Sequence, residues 1–162
     1  MSRDELFLAE LLRALEEAKL EAIVVGMTAA VLQGAPVMTQ DVDLLIRDTP
    51  RNREKLEKMR TVLGAAKPAE VSPLSKPLVI MGAALPVDIL FERLSGGLAF
   101  AGLRARAVRI VLSGRTAVVA CLADVIKSKE AAGRSKDQAA LPILRDTLRV
   151  QEALKAQAKG RK

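Results

Sequence analysis

Val24-Val25-Gly26-Met27-Thr28-Ala29-Ala30 runs from a β-branched pair through a glycine into small residues, and Thr39-Gln40-Asp41-Val42-Asp43-Leu44-Leu45 then alternates two carboxylates with apolar side chains. Ala22 to Val25 is a short apolar run ending at Gly26, and Thr28 to Gln33 has the composition of a brief helix, stopped by Gly34 and Pro36. The pattern is strand, glycine turn, helix. Val42, Leu44, Leu45 and Ile46 make a second strand. Asp41 and Asp43 are two apart on it, so their carboxylates leave the same face, with backbones about 7 Å apart.

Working outward, Ser2 and Glu5 have capping-box spacing, and Leu8, Leu11, Leu12 and Leu15 recur with helical period, which predicts an N-terminal helix. Thr49 and Pro50 stand in N-cap and N1 order and open a helix to about Gly64. Ala65 to Lys76, with Pro68 and Pro73, reads as a surface connection leading to an apolar strand at Leu78 to Met81 and a hairpin at Gly82. Leu85 to Phe91, Val108 to Leu112 and Thr116 to Val119 are further strands, the last two joined at Ser113-Gly114. From Leu122 the chain turns helical. Gly133 interrupts it, Ser135 with Gln138 gives a second capping-box signal for a helix towards Ala158, and Pro142 predicts a kink or restart. The expected architecture is α/β (α+β): one domain over residues 1–162, with a sheet of about five or six strands at about 20–120 and a helical part at about 121–158.

Length and composition agree with one domain. The chain has 162 residues, 50% hydrophobic and 28% charged, a balance suited to a soluble globular fold. Lys and Arg number 26 against 19 Asp and Glu, so a net charge of +7 attracts anions such as nucleotides or RNA. The single Cys121 and the lack of His exclude an internal disulfide, the common zinc sites and His-dependent nucleophilic pairs. The opening Met1-Ser-Arg-Asp-Glu does not read as a signal peptide, and the longest apolar run, Pro77 to Val87, is too short to span a bilayer. The expectation is a cytoplasmic chain without a membrane partner.

Any chemistry therefore rests on carboxylates, Lys, Arg and hydroxyls. Two carboxylates on one strand face can share divalent cations, Mg²⁺ above all, which is the arrangement used for phosphoryl and nucleotidyl transfer. The same spacing also fits two solvated carboxylates at a strand edge. Asp88 adds weight to the first reading, because it lies inside the apolar run Leu85 to Phe91, where an unpaired charge is costly. A cation shared with Asp41 and Asp43 would compensate it, as would an ion pair with Arg93 or Arg104. Gly26, leading from a strand into a helix, has the form of either an anion-binding turn, with Thr28 supplying a hydroxyl, or an ordinary tight turn.

These residues resemble the nucleotidyltransferase superfamily, the DNA polymerase β-like fold: an apolar strand, Gly with Gly or Ser, a short helix, Asp-x-Asp, and a later third Asp. Gly26, Asp41, Asp43 and Asp88 match in order, and Leu122 to Asp137, with Lys129, Gly133-Arg134 and Lys136-Asp137, is similar to bacterial proteins of the AbiEii type. The resemblance spans about residues 20–145. It implies that Asp41 and Asp43 bind Mg²⁺ or Mn²⁺, with Asp88 as third ligand or base. It also implies that the Gly26-Met27-Thr28 turn holds phosphate, that Lys129 neutralises triphosphate charge, and that Lys136 and Asp137 lie near the cleft. The implied activity is transfer of a nucleoside monophosphate from an NTP to a hydroxyl of RNA, tRNA or a protein, with a cognate toxin or antitoxin as a further partner. Two positions differ from the family pattern: Met27 replaces the small second residue, and Val37 replaces an Arg shortly before Thr39. They motivate the alternative of an inactive module that binds nucleotide, RNA or a partner protein. With no Trp or Tyr and only three Phe, an RNA partner would be gripped through its phosphates.

Overall fold

The computed structural model describes residues 2–65, 78–80 (backbone only) and 85–160. In chain order the elements are α1 (Arg3–Ala18), β1 (Ile23–Val25), α2 (Gly26–Leu32), β2 (Val42–Ile46), α3 (Pro50–Val62), β3 (Leu78–Ile80), β4 (Val87–Phe91), β5 (Arg93–Leu94), β6 (Leu98–Ala99), α4 (Phe100–Arg106), β7 (Val108–Leu112), β8 (Arg115–Val119), α5 (Leu122–Ala132) and α6 (Ser135–Gly160). The main sheet has six strands in the order β3-β4-β2-β1-β8-β7, with β5 and β6 forming a separate small pair. Most of the surface connection expected before β3, and the hairpin expected at Gly82, lie outside the described residues.

β2 is the middle of the molecule. It pairs antiparallel with β1 and parallel with β4, and Leu44, Leu45 and Ile46 are each 0% exposed. Three consecutive buried residues on a strand require cover on both faces, because neighbouring side chains point to opposite sides. The helices supply it in two groups: α1 packs with α3, whereas α2 and α6 both pack against α5. α1 is held at its start by the expected capping box, with the Ser2 N–H donating to Glu5 at 2.6 Å and the Glu5 N–H donating to the Ser2 hydroxyl at 3.2 Å. Phe7, Leu11, Leu12 and Leu15 bury its inner face. Thr49 caps α3 through the Asn52 N–H at 3.0 Å, with Pro50 in the first turn.

Several local expectations change. α2 begins at Gly26 rather than Thr28. The hairpin β5-β6 and the helix α4 are additional; α4 follows Ala99 without a side-chain cap, so it carries none of the residues that announce a helix start. α6 is not opened by Ser135 and Gln138. Asp137 accepts the backbone N–H of Arg134 at 3.2 Å, while the Gln138 amide donates to the Gly133 carbonyl at 3.3 Å. Nor does Pro142 end the helix, which continues to Gly160. Pro142 and Gln138, four residues earlier, are both exposed, a setting in which water can satisfy the carbonyl left without an N–H donor.

Two of the three phenylalanines carry an arginine over the ring: Arg47 lies 4.7 Å from the Phe100 centroid and Arg53 4.5 Å from that of Phe91. Phe7 is buried. No helix among the described residues is long and apolar enough to cross a membrane. Because the core centres on β2, Leu44→Ala is expected to cost about 2–5 kcal/mol of stability, read as a lowered denaturation midpoint in urea.

Candidate active site

The sheet topology brings three chain segments to one place. Because β1 and β2 are antiparallel, the end of β1 meets the beginning of β2, with Val25 opposite Asp43. Because β2 and β4 are parallel, their beginnings coincide, and Asp43 stands directly beside Asp88. Register partners on neighbouring strands project to the same face. Asp41 lies one residue before β2, in a bend rather than on the strand as the spacing predicts. One carboxylate oxygen from each of Asp41, Asp43 and Asp88 lies within 4.8 Å of the other two.

The bend is fixed by two threonines. The buried Thr28 hydroxyl donates to the Asp41 carbonyl at 3.0 Å, and Thr39 both donates to that carbonyl and accepts the Asp41 N–H at 3.3 Å. Thr28, expected to hold phosphate, is thus spent on the backbone that presents Asp41. Gly26 has a stricter reason to be glycine. Its φ is +66°, and a Cβ built there would stand 2.3 Å from a carboxylate oxygen of Asp43. Any side chain at this position would collide with the middle carboxylate.

Crowding sets the electrostatics. Burial, then the charges of Asp41 and Asp88, push the Asp43 carboxyl up to about 7, with Lys129 acting in the opposite direction. Burial also raises Asp88, helped by Asp41 and opposed first by its hydrogen bond with Asp43 and then by the charge of Lys136. Neither Arg93 nor Arg104 pairs with Asp88 among the described residues; Arg104 bonds Glu21 instead. Three oxygen-donor side chains with no ion-pair partner among the described residues suit a hard divalent cation, so the residues fit Mg²⁺ or Mn²⁺.

Facing the carboxylates is a wall of cations. A cavity of about 270 Å³ is lined by Met27, Asp41, Asp43, Asp88, Lys129, Arg134 and Lys136, among others. A second, of about 200 Å³, shares Asp43, Lys129 and Arg134 and adds Gly26, Arg93, Ser95 and Ser128. Lys129 and Lys136 therefore lie beside the acidic trio. Asp137 does not line either cavity. It is 0% exposed, with Lys129 Nζ at 3.2 Å and Arg134 Nε at 2.7 Å. Burial would raise its carboxyl, but the hydrogen bonds from Arg134 and Lys129 outweigh this and hold it below the ordinary value. Expected at the nucleotide, Asp137 is placed by the structure against Lys129 and Arg134. Arg93 and Arg134 are the cleft cations that spacing alone does not single out; the signal for Arg134 is its place after Gly133, at the start of α6.

No family model and no curated protein matches the chain. Solved structures do match in fold. ANT(2'')-Ia, seen in complex with adenylyl-2''-tobramycin, shares 16% identity at a TM-score of 0.65, over 99% of this chain and 99% of that one. The lincosamide antibiotic adenylyltransferase LnuA, lincomycin-bound, shares 15% identity at 0.62, over 91% and 98%. The Thermotoga maritima protein TM1012, a proposed nucleotidyltransferase, shares 19% at 0.61, over 88% and 93%. The chain has the nucleotidyltransferase fold.

The acidic crowding has a thermodynamic consequence. With a chelator present, the folded chain keeps a proton on Asp43 that the unfolded chain releases, so this group's contribution to stability is lost as pH rises from its ordinary value of 3.8 through about 7. Denaturation midpoints across this range, compared with those of Asp43→Asn, are expected to show the wild type losing ground to the variant as pH increases. Parallel curves would mean that neither burial nor the neighbouring carboxylates raise Asp43.

Proposed function

We propose that the chain is a nucleotidyltransferase that moves a nucleoside monophosphate from an NTP to an acceptor hydroxyl. The observation that carries the proposal is the convergence of Asp41, Asp43 and Asp88 within 4.8 Å, opposite Lys129, Arg134 and Lys136. Asp41, Asp43 and Asp88 would hold Mg²⁺ or Mn²⁺. Such an ion, when bound, neutralises phosphate oxygens and makes a neighbouring hydroxyl more acidic. Lys129, Arg134 and Lys136 contribute positive charge for the polyphosphate and for the charge that develops on departing pyrophosphate. In the reaction the acceptor oxygen bonds to the α-phosphorus, the bond from that phosphorus to the bridging oxygen breaks, and pyrophosphate leaves. Asp88 takes the acceptor's proton. Gly26 and Met27 contribute the turn beside the phosphates, and Thr28 supports it from behind through the Asp41 carbonyl.

RNA, tRNA among it, is the acceptor class favoured by the excess of 26 basic over 19 acidic residues; a protein hydroxyl is the other acceptor in this proposal. ANT(2'')-Ia and LnuA, whose structures contain adenylyl-tobramycin and lincomycin, add small-molecule hydroxyls as a class to test. A toxin or antitoxin partner would meet the apolar residues Val150 and Leu154, exposed on α6. One observation favours binding without transfer: Met27 lines the carboxylate cavity, where the family pattern has a small residue.

The test is label transfer and pyrophosphate release from each α-labelled NTP with Mg²⁺ or Mn²⁺, offering total RNA, tobramycin or lincomycin as acceptor. Asp41→Ala and Asp43→Ala are expected to lose at least about 10²-fold in rate while folding normally. Metal-dependent NTP binding without pyrophosphate release would leave the binding module. Equal transfer by wild type and Asp43→Ala would overturn both readings of the carboxylates.

A further inference from the structure

Lys129 stands between two sets of carboxylates. On one side is Asp137, fully buried, 3.2 Å from its ammonium. On the other is the acidic trio, whose middle member, Asp43, it attracts electrostatically and with which it lines both cavities. The Lys129 side chain is only 15% exposed, so neither attraction is much weakened by water. An ammonium that moved onto Asp43 or Asp88 would relieve the crowding of the trio as a metal does, and would occupy the place of the metal. Asp137 works against that move. Its carboxylate also takes Arg134 Nε at 2.7 Å and the Arg134 backbone N–H at 3.2 Å, so the same group that binds Lys129 is tied to the start of α6. The anchor belongs to two helices at once, with Lys129 from α5 and Asp137 from α6.

We infer that Asp137 is a positioning residue that holds Lys129 back from Asp43 and Asp88, leaving the trio free for a divalent cation and keeping Lys129 and Arg134 together as the anion-facing wall. The part of this inference that concerns the cation rests on the metal site proposed above. The part that concerns Lys129 does not.

The test is Mn²⁺ titration without nucleotide, followed by the electron paramagnetic resonance of the free ion, for the wild type, Asp137→Asn, Lys129→Met and the double variant. Asp137→Asn is expected to weaken Mn²⁺ binding by about tenfold or more, the usual scale for a residue supporting metal ligands. Removing Lys129 as well is expected to restore it. A merely structural residue would leave the double variant as weak as Asp137→Asn, and that result overturns the inference. Asp124→Asn is the control, because it breaks a comparably buried acid with Arg106 at 2.8 Å; it is expected to lower stability and leave Mn²⁺ affinity unchanged.

A crystal structure of Asp137→Asn reads the position of Lys129 directly. Its ammonium on Asp43 or Asp88 supports the inference, and its remaining at the side chain of residue 137 overturns it. If the wild type binds no Mn²⁺, the proposed metal site fails while this structure still decides the anchor. Should Asp137→Asn not fold, Lys129→Met alone decides: tightening of less than about tenfold, from the lost positive charge, is expected, whereas greater tightening would show that Lys129 already sits on the trio and overturns the inference.

Discussion

Three carboxyl groups forced together between the end of β1 and the beginnings of β2 and β4 are the constraint to which the surrounding structure answers. Asp43 stands beside Asp88 in register and against Gly26. The glycine follows from the space this carboxylate takes; the threonine pair follows from the need to hold Asp41 just outside the strand. The cations of α5, α6 and the segment between them then oppose the charge from across a cavity. Each is a local answer to an electrostatic problem that the sheet topology creates.

The problem persists because it lies at the edge of a well-made core. Leu44, Leu45 and Ile46, immediately after Asp43, have no exposure at all, and burial of apolar area at about 25 cal/mol per Å² is large enough to offset unfavourable charge nearby. β2 thus changes along its length from a segment that presents the Asp43 carboxylate to one that is pure core. Stability and chemistry divide a single five-residue element between them.

Much of this was legible in the residues. Apolar runs of strand length, a glycine followed by small residues, and the two-residue spacing of Asp41 and Asp43 are local signals, and local signals survive in sequence. Asp88 could be singled out because a charge inside Leu85 to Phe91 contradicts its surroundings. What was not legible is how polar groups choose partners across long separations. Thr28 has one hydroxyl, and nothing in its neighbours says that the Asp41 carbonyl takes it. Asp137 looks like a helix-start acid available to ligand, yet folding buries it between Lys129 and Arg134. The short helix α4 starts after Ala99, without a capping side chain, so its onset left no mark. Pro142 does not restart the helix, since an exposed helix position tolerates the donor it lacks.

The strand order also sets a schedule. β1, which ends at Val25, is flanked by β2 on one side and by β8, close to residue 119, on the other, and the opposing cations come later still, from Lys129 onward. A chain emerging from the ribosome exposes its carboxylates long before the groups that face them have been synthesised. The cleft is accordingly among the last features to be completed, because the cations that line it are made after the acids, and a truncated nascent chain carries its acids without them.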